Sequence, residues 1–127
     1  METHLFESGE DYLERILMLQ LKIGEVRSID IANSMGFSKP SVSVAMKKLK
    51  SLNYITINSD GLISLTPEGD KIAHHIFERH TVITKFLMGL LNVSKENALA
   101  DACKMEHDLS YETFDKMKKF CKEKKYI

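Results

Sequence analysis

Apolar side chains recur at helical spacing along most of the chain and alternate at strand spacing only once. From about Ser8 to Ile23, Leu13, Ile16, Leu17 and Leu21 fall on one helical face, which predicts an amphipathic helix. Ser8 suits its N-cap, Glu10 and Asp11 stand in the first turn where the helix dipole favours acids, and Gly24 stops it. A short helix is predicted from Ser28, as its cap, to Met35, with Ile29, Ile31, Ala32 and Met35 as apolar positions and Gly36 as the break. Ser38-Lys39-Pro40 opens a third helix, with Ser38 at the N-cap and Pro40 in the first turn, where a missing amide hydrogen is harmless. It continues through Val42, Ala45, Met46 and Leu49 to about Leu52. Two helices joined by a short turn containing a glycine carry the helix-turn-helix signature.

The one stretch of strand character follows. Tyr54–Asn58 and Leu62–Leu65 are β-rich runs flanking Ser59-Asp60-Gly61, and an Asp-Gly turn between such runs predicts a hairpin. Thr66-Pro67 then starts a long helix, with Thr66 as N-cap and Pro67 at the first helical position. Its apolar stripe (Ile72, Ile76, Ile83, Phe86, Leu87, Leu90, Leu91) is wider than a peripheral helix needs and points to self-association. Ser94 caps a helix from Lys95 to about His107, and Ser110 one from Tyr111 to about Lys122. The expected fold class is mainly α, an N-terminal winged helix-turn-helix over residues 1–66 followed by an all-helical dimerisation domain over residues 67–127.

The 127 residues carry 18 basic and 18 acidic side chains, so a nucleic-acid partner must be met by a local patch rather than by global charge. Such a patch exists: Ser38 to Leu52 holds Lys39, Lys47, Lys48 and Lys50 and no acid. The lysines after Lys116 read instead as a solvated face. No apolar run approaches the ~20 residues that span a bilayer, and Met1-Glu2-Thr3-His4 lacks the order of a secretion signal. No membrane partner is expected, and Cys103 and Cys121 are read as reduced thiols of a cytoplasmic protein.

Two constellations carry candidate chemistry. On the basic helix, Ser38, Lys39, Ser41, Ser43 and Val44 occupy the N-terminal part that a recognition helix presents to base edges, with Pro40 among them. Lys47, Lys48 and Lys50 suit phosphates, giving affinity without sequence information. The plainer alternative is a helix-turn-helix that binds protein. The second constellation is Cys103, Glu106 and His107, which at i, i+3 and i+4 share a helical face and offer a thiolate, a carboxylate and an imidazole. Asp11 and Glu14 share a face of the first helix, and His80 lies between Ile76 and Ile83. Plain readings compete here too: Cys103 as a small core residue, Asp11 as a dipole partner, His107 as a helix cap, His80 as a core histidine. His4, His74 and His75 read as surface residues, and Cys121 has no evident partner. A metalloenzyme is the rival from another class, yet no nucleophile motif or substrate pocket accompanies these ligands, so neither enzyme activity nor a small-molecule substrate is expected.

The sequence resembles the diphtheria toxin repressor family of metal-dependent transcriptional regulators, and within it the manganese transport regulator branch. The resemblance runs from Glu10-Asp11-Tyr12-Leu13 through the helix-turn-helix, Leu65-Thr66-Pro67-Glu68-Gly69 and Arg79-His80 to Ala102-Cys103-Lys104-Met105-Glu106-His107 and Leu109-Ser110. It implies a homodimeric repressor that binds double-stranded operator DNA when loaded with Fe(II) or Mn(II), and metal-ion uptake as the regulated process. The family's ligands map onto Asp11, Glu14, His80, Cys103, Glu106 and His107. The set is a hybrid: a carboxylate at position 11, as in manganese-type members, and a cysteine at position 103, as in iron-type members. Carboxylates favour Mn(II), while a thiolate shifts preference toward Fe(II), Co(II) or Zn(II). Thr84 and Leu99 stand where the iron-type ancillary site has a glutamate and a histidine. A winged-helix regulator answering a non-metal ligand is the alternative.

Overall fold

The computed structural model describes residues 7–127. His4 lies outside them, as does whatever precedes the first helix. The elements run α1 (Glu7–Ile23), α2 (Ser28–Met35), α3 (Lys39–Ser51), β1 (Ile55–Ile57), β2 (Ile63–Leu65), α4 (Pro67–Leu90), α5 (Lys95–Met105) and α6 (Tyr111–Glu123). The chain parts into two compact units between His74 and His75, within α4.

In the first unit the buried residues are those the helical periodicity selects. Leu13, Ile16 and Leu17 of α1, Ile31 and Ala32 of α2, and Val42, Met46 and Leu49 of α3 are shielded from solvent, as are Ile55 and Ile63 from the two strands. Leu21 departs from this pattern: it is 72 % exposed, so the apolar stripe of α1 stops a turn earlier than its spacing predicts. Ser8 is not the cap of α1, because the helix is already formed at Glu7. Ser28 does not cap α2 either. The backbone amide of Arg27 donates to Asp30 Oδ2 at 2.9 Å, so the acceptor at this helix start is a carboxylate inside the helix rather than a preceding hydroxyl. Gly36 ends α2 in the left-handed conformation at φ 71°, which only glycine adopts at no steric cost. Ser38 caps α3, its Oγ accepting from the Ser41 amide at 3.2 Å, and Pro40 sits in the first turn.

β1 and β2 pair antiparallel with Ile55 opposite Leu65 and Ile57 opposite Ile63. Their connection is longer than a two-residue Asp-Gly turn. The Asn58 amide donates to the Leu62 carbonyl at 3.0 Å, and Asn58 Oδ1 accepts from the amides of Asp60 and Leu62, both at 2.9 Å. Gly61, at φ 79°, closes the loop. The hairpin is tied to the chain before α2 as well: Ile63 donates to the Val26 carbonyl at 2.8 Å, and Arg27 Nε to the Asp60 carbonyl at 3.3 Å. Thr66 then performs two tasks. Its Oγ1 accepts from the Gly69 amide at 3.1 Å, capping α4, and donates to the Asn53 carbonyl at 2.8 Å. Gly69 packs so closely on Tyr54 that a Cβ would collide with the Tyr54 carbonyl oxygen.

The second unit is helical throughout. Ile83 and Leu87 of α4 pack on Ala98 and Ala102 of α5. Val82 packs with Phe114 and Cys121 of α6. Cys121 is thereby a core residue, its thiol 3.9 Å from the Val82 carbonyl. Ser94 and Ser110 cap α5 and α6 through the amides of Asn97 and Thr113, at 3.3 and 3.2 Å. His75 is half-buried with its ring edge-on to Phe114, 6.5 Å between centroids, so it is a packing residue and not a surface one. His74 is exposed, 3.3 Å from Asp70 Oδ1. None of the described helices is long and apolar enough to cross a membrane.

Candidate metal centre and nucleic-acid interface

On α3, burial of Val42, Met46 and Leu49 leaves Ser38, Lys39, Pro40, Ser41, Val44, Lys47, Lys48 and Lys50 exposed, with Ser43 half-buried. The Ser38 and Ser41 hydroxyls are 2.8 Å apart, so part of their hydrogen-bonding capacity is used within the cap itself. The exposed face carries lysines toward both ends of α3 and no acidic residue.

The metal-ligand types divide between the units as their positions in sequence require. Asp11 and Glu14 belong to α1, Asp11 half-buried and Glu14 buried. In the second unit, His80 from α4 meets Cys103 and Glu106 from the α5 segment, each with a donor atom within 4.8 Å of the others. Donors that share one ion at about 2.0–2.3 Å stand about 3–4.5 Å apart, close to the spacing of these three.

Glu106 is the centre of this arrangement. Its side chain is 0 % exposed, and its two oxygens face different imidazoles. Oε2 lies 3.1 Å from His80 Nδ1, and Oε1 lies 3.5 Å from His107 Nε2. Cys103 lies in the last turn of α5, and Glu106 and His107 stand just past it. α5 ends at Met105, Glu106 is its C-cap, and His107 lies in the turn beyond. An arginine holds this turn. Arg79 Nη1 donates to the carbonyls of Glu106 at 3.1 Å and Leu109 at 2.9 Å, satisfying groups that a continuing helix would otherwise have bonded. Its guanidinium also lies 5.2 Å from the centroid of the Phe114 ring. Arg79 was legible only as the neighbour of His80, although a cation within the apolar stripe of α4 is a signal in itself. Thr84 Oγ1 donates to the His80 carbonyl at 2.7 Å, and Thr84 and Leu99 line a cavity of about 280 Å³ beside His80 with Lys85 and Lys95. Neither Thr84 nor Leu99 supplies a metal ligand there.

A buried carboxylate flanked by two imidazoles in one unit, and a winged helix-turn-helix with an acid-free, lysine-bearing third helix in the other, are the marks of a metal-responsive DNA-binding protein. Comparison with known proteins agrees. Residues 4–61 match the iron-dependent repressor N-terminal DNA-binding domain, and residues 66–126 the iron-dependent repressor metal-binding and dimerisation domain. The chain belongs to the iron-dependent repressor family; it is a metal-dependent transcriptional regulator of the manganese regulator branch and not an enzyme. It is 42 % identical over 114 residues to the transcriptional regulator MntR of Salmonella typhimurium, a match covering 90 % of this chain and 72 % of that protein. A Methanocaldococcus jannaschii protein described as an uncharacterised HTH-type transcriptional regulator is 33 % identical over 115 residues, covering 90 % of this chain and 92 % of that one. Among solved structures, that of the manganese regulator SloR superposes with a TM-score of 0.79 at 29 % identity, covering 90 % of this chain. The chain spans 53 % of the SloR chain, about half its length. These relatives do not favour a regulator answering a non-metal ligand.

Proposed function

We propose that the chain acts as a homodimeric, cytoplasmic repressor of metal-ion uptake genes, binding double-stranded operator DNA when loaded with Mn(II) or Fe(II). The observation that carries the metal reading is the Glu106 carboxylate, withdrawn from water and flanked by two imidazoles with the Cys103 thiol in reach. Residues 67–127 hold the second subunit and most of the ligands, and residues 1–66 hold the DNA. His80, Cys103, Glu106 and His107 are the ligands from the helical part, and Asp11 and Glu14 those from α1. A bound divalent ion supplies positive charge that these carboxylates and the thiolate lack among themselves. The chain's own residues do the rest: Arg79 holds the Glu106 turn in place, and α3 meets the duplex, with Ser38, Lys39, Pro40, Ser41 and Ser43 near base edges and Lys47 and Lys48 on phosphates. The mixed thiolate and carboxylate set selects transition metals over Ca(II) and Mg(II), and Co(II) or Zn(II) fill it in vitro.

Anaerobic titration of Mn(II), Fe(II), Co(II) and Zn(II) against binding to a DNA fragment from an uptake-gene promoter tests this reading. Metal is expected to tighten DNA binding about 5- to 150-fold, and DNA to tighten metal binding by the same factor. Glu106→Gln is expected to abolish that metal dependence. DNA affinity that is the same with metal and with chelator overturns the proposal.

A further inference from the structure

Val44 is out of place for a residue with a purely structural role. It is 68 % exposed on a helix whose other large apolar residues, Val42, Met46 and Leu49, are 0–1 % exposed. With 3.6 residues per turn, Val44 lies roughly 170° around α3 from the centre of that buried stripe, at the middle of the outward face. Lys47 and Lys48 follow one turn later, roughly 60° and 40° to either side of it. Ser41 precedes it by one turn, and all three are exposed. A β-branched residue at such a point lowers helix propensity and leaves two methyl groups in water. Among the described residues of the first unit, none covers it.

Resting on the reading of α3 as the recognition helix, we propose that Val44 is a specificity residue that reads the C5-methyl group of a thymine in the major groove. The chemistry is matched on both sides. Thymine is the only DNA base that presents a methyl group in that groove, and an apolar side chain is its complement. The flanking lysines bond phosphates or guanine edges and the serines bond either, so none of them distinguishes thymine by its methyl group. Val44 also has no donor or acceptor to offer a cytosine or a purine edge. The surrounding cations set the helix in the groove, and the apolar tip at the centre of the face then favours sites where a thymine stands opposite it. In a homodimer the preference appears once in each half-site.

The test begins with selection of binding sites from a random duplex library by the Mn(II)-loaded wild-type protein. Each thymine of the selected site is then replaced in turn by uracil, which deletes only the methyl group. At one thymine per half-site the wild type is expected to lose about fourfold in affinity for each replacement, the worth of one buried methyl. Val44→Ser, which removes both side-chain methyls, is expected to bind the uracil and thymine versions equally, and Val44→Thr, which keeps one, to fall between. Circular dichroism of the exposed-site variants is expected to match the wild type. If no uracil replacement weakens the wild type, or if Val44→Ser retains the same sensitivity, the inference is overturned. If the wild type selects no sequence at all, the repressor reading fails, and the inference fails with it.

Discussion

The guanidinium of Arg79 reaches from α4 to two carbonyls beyond the end of α5 while lying over the Phe114 ring. One side chain thereby fixes the turn that carries Glu106 and His107, and it does so with donors that never lose their charge. Lysine in its place would have neither the fork nor the plane that suits the aromatic ring. Cys121 is a different kind of buried residue: it supplies volume, and burial pushes its thiol above the ordinary value of 9.0. A raised thiol favours the neutral form in the folded state, so the folded protein holds its proton where the unfolded chain has released it. The associated stability is intact below about pH 9 and is lost as the pH climbs through the folded value. Melting curves recorded from about pH 8 to 10.5 are expected to show a steeper fall for the wild type than for Cys121→Ala, whatever the offset between them at neutral pH. Parallel curves would show that Cys121 takes no part.

Among the elements, α4 is set by its first turn. Thr66 caps it and at the same time holds the Asn53 carbonyl, and Gly69 lies against the Tyr54 carbonyl. A methyl group at position 69 has backbone in its way and not a side chain that can swing aside. Gly69→Ala is therefore expected to destabilise the protein by about 1–3 kcal/mol despite alanine's better helix propensity, read as a lower urea midpoint. A gain in stability would mean that α4 moves off the hairpin freely. Most elements were legible because cap and periodicity agree: Ser38, Thr66, Ser94 and Ser110 each mark a helix start that the structure bears out. Where they misled, the partner was not local in the way a simple motif assumes. Asp30 reaches back to the Arg27 amide in place of a Ser28 cap, and Arg79 bonds two carbonyls past the end of α5, where the Glu106 carboxylate lies between the imidazoles of His80 and His107. The sequence pattern named the candidate ligand types; the arginine that bonds the turn carrying two of them lies 27 and 30 residues along the chain from the carbonyls it meets, beyond the reach of a local motif.

At the scale of the whole molecule, equal numbers of acidic and basic groups conceal an uneven arrangement, since α3 has no acidic residue. Affinity for duplex DNA therefore depends on few cations, and each is worth a measurable share. Lys47→Gln is expected to weaken binding to all sequences alike and to flatten the dependence of log K on log salt by about 1 for each subunit engaged. Loss of affinity for one sequence only would place Lys47 on a base edge. Strand β2 of the hairpin is bonded along both edges, to β1 on one side and to Val26 through the Val26–Ile63 bridge on the other, with Arg27 fastening the loop at Asp60. A wing held in this way has little motional freedom left to surrender when it meets a duplex. It arrives already shaped, and the interaction energy of the encounter is not spent on moulding a loose ribbon.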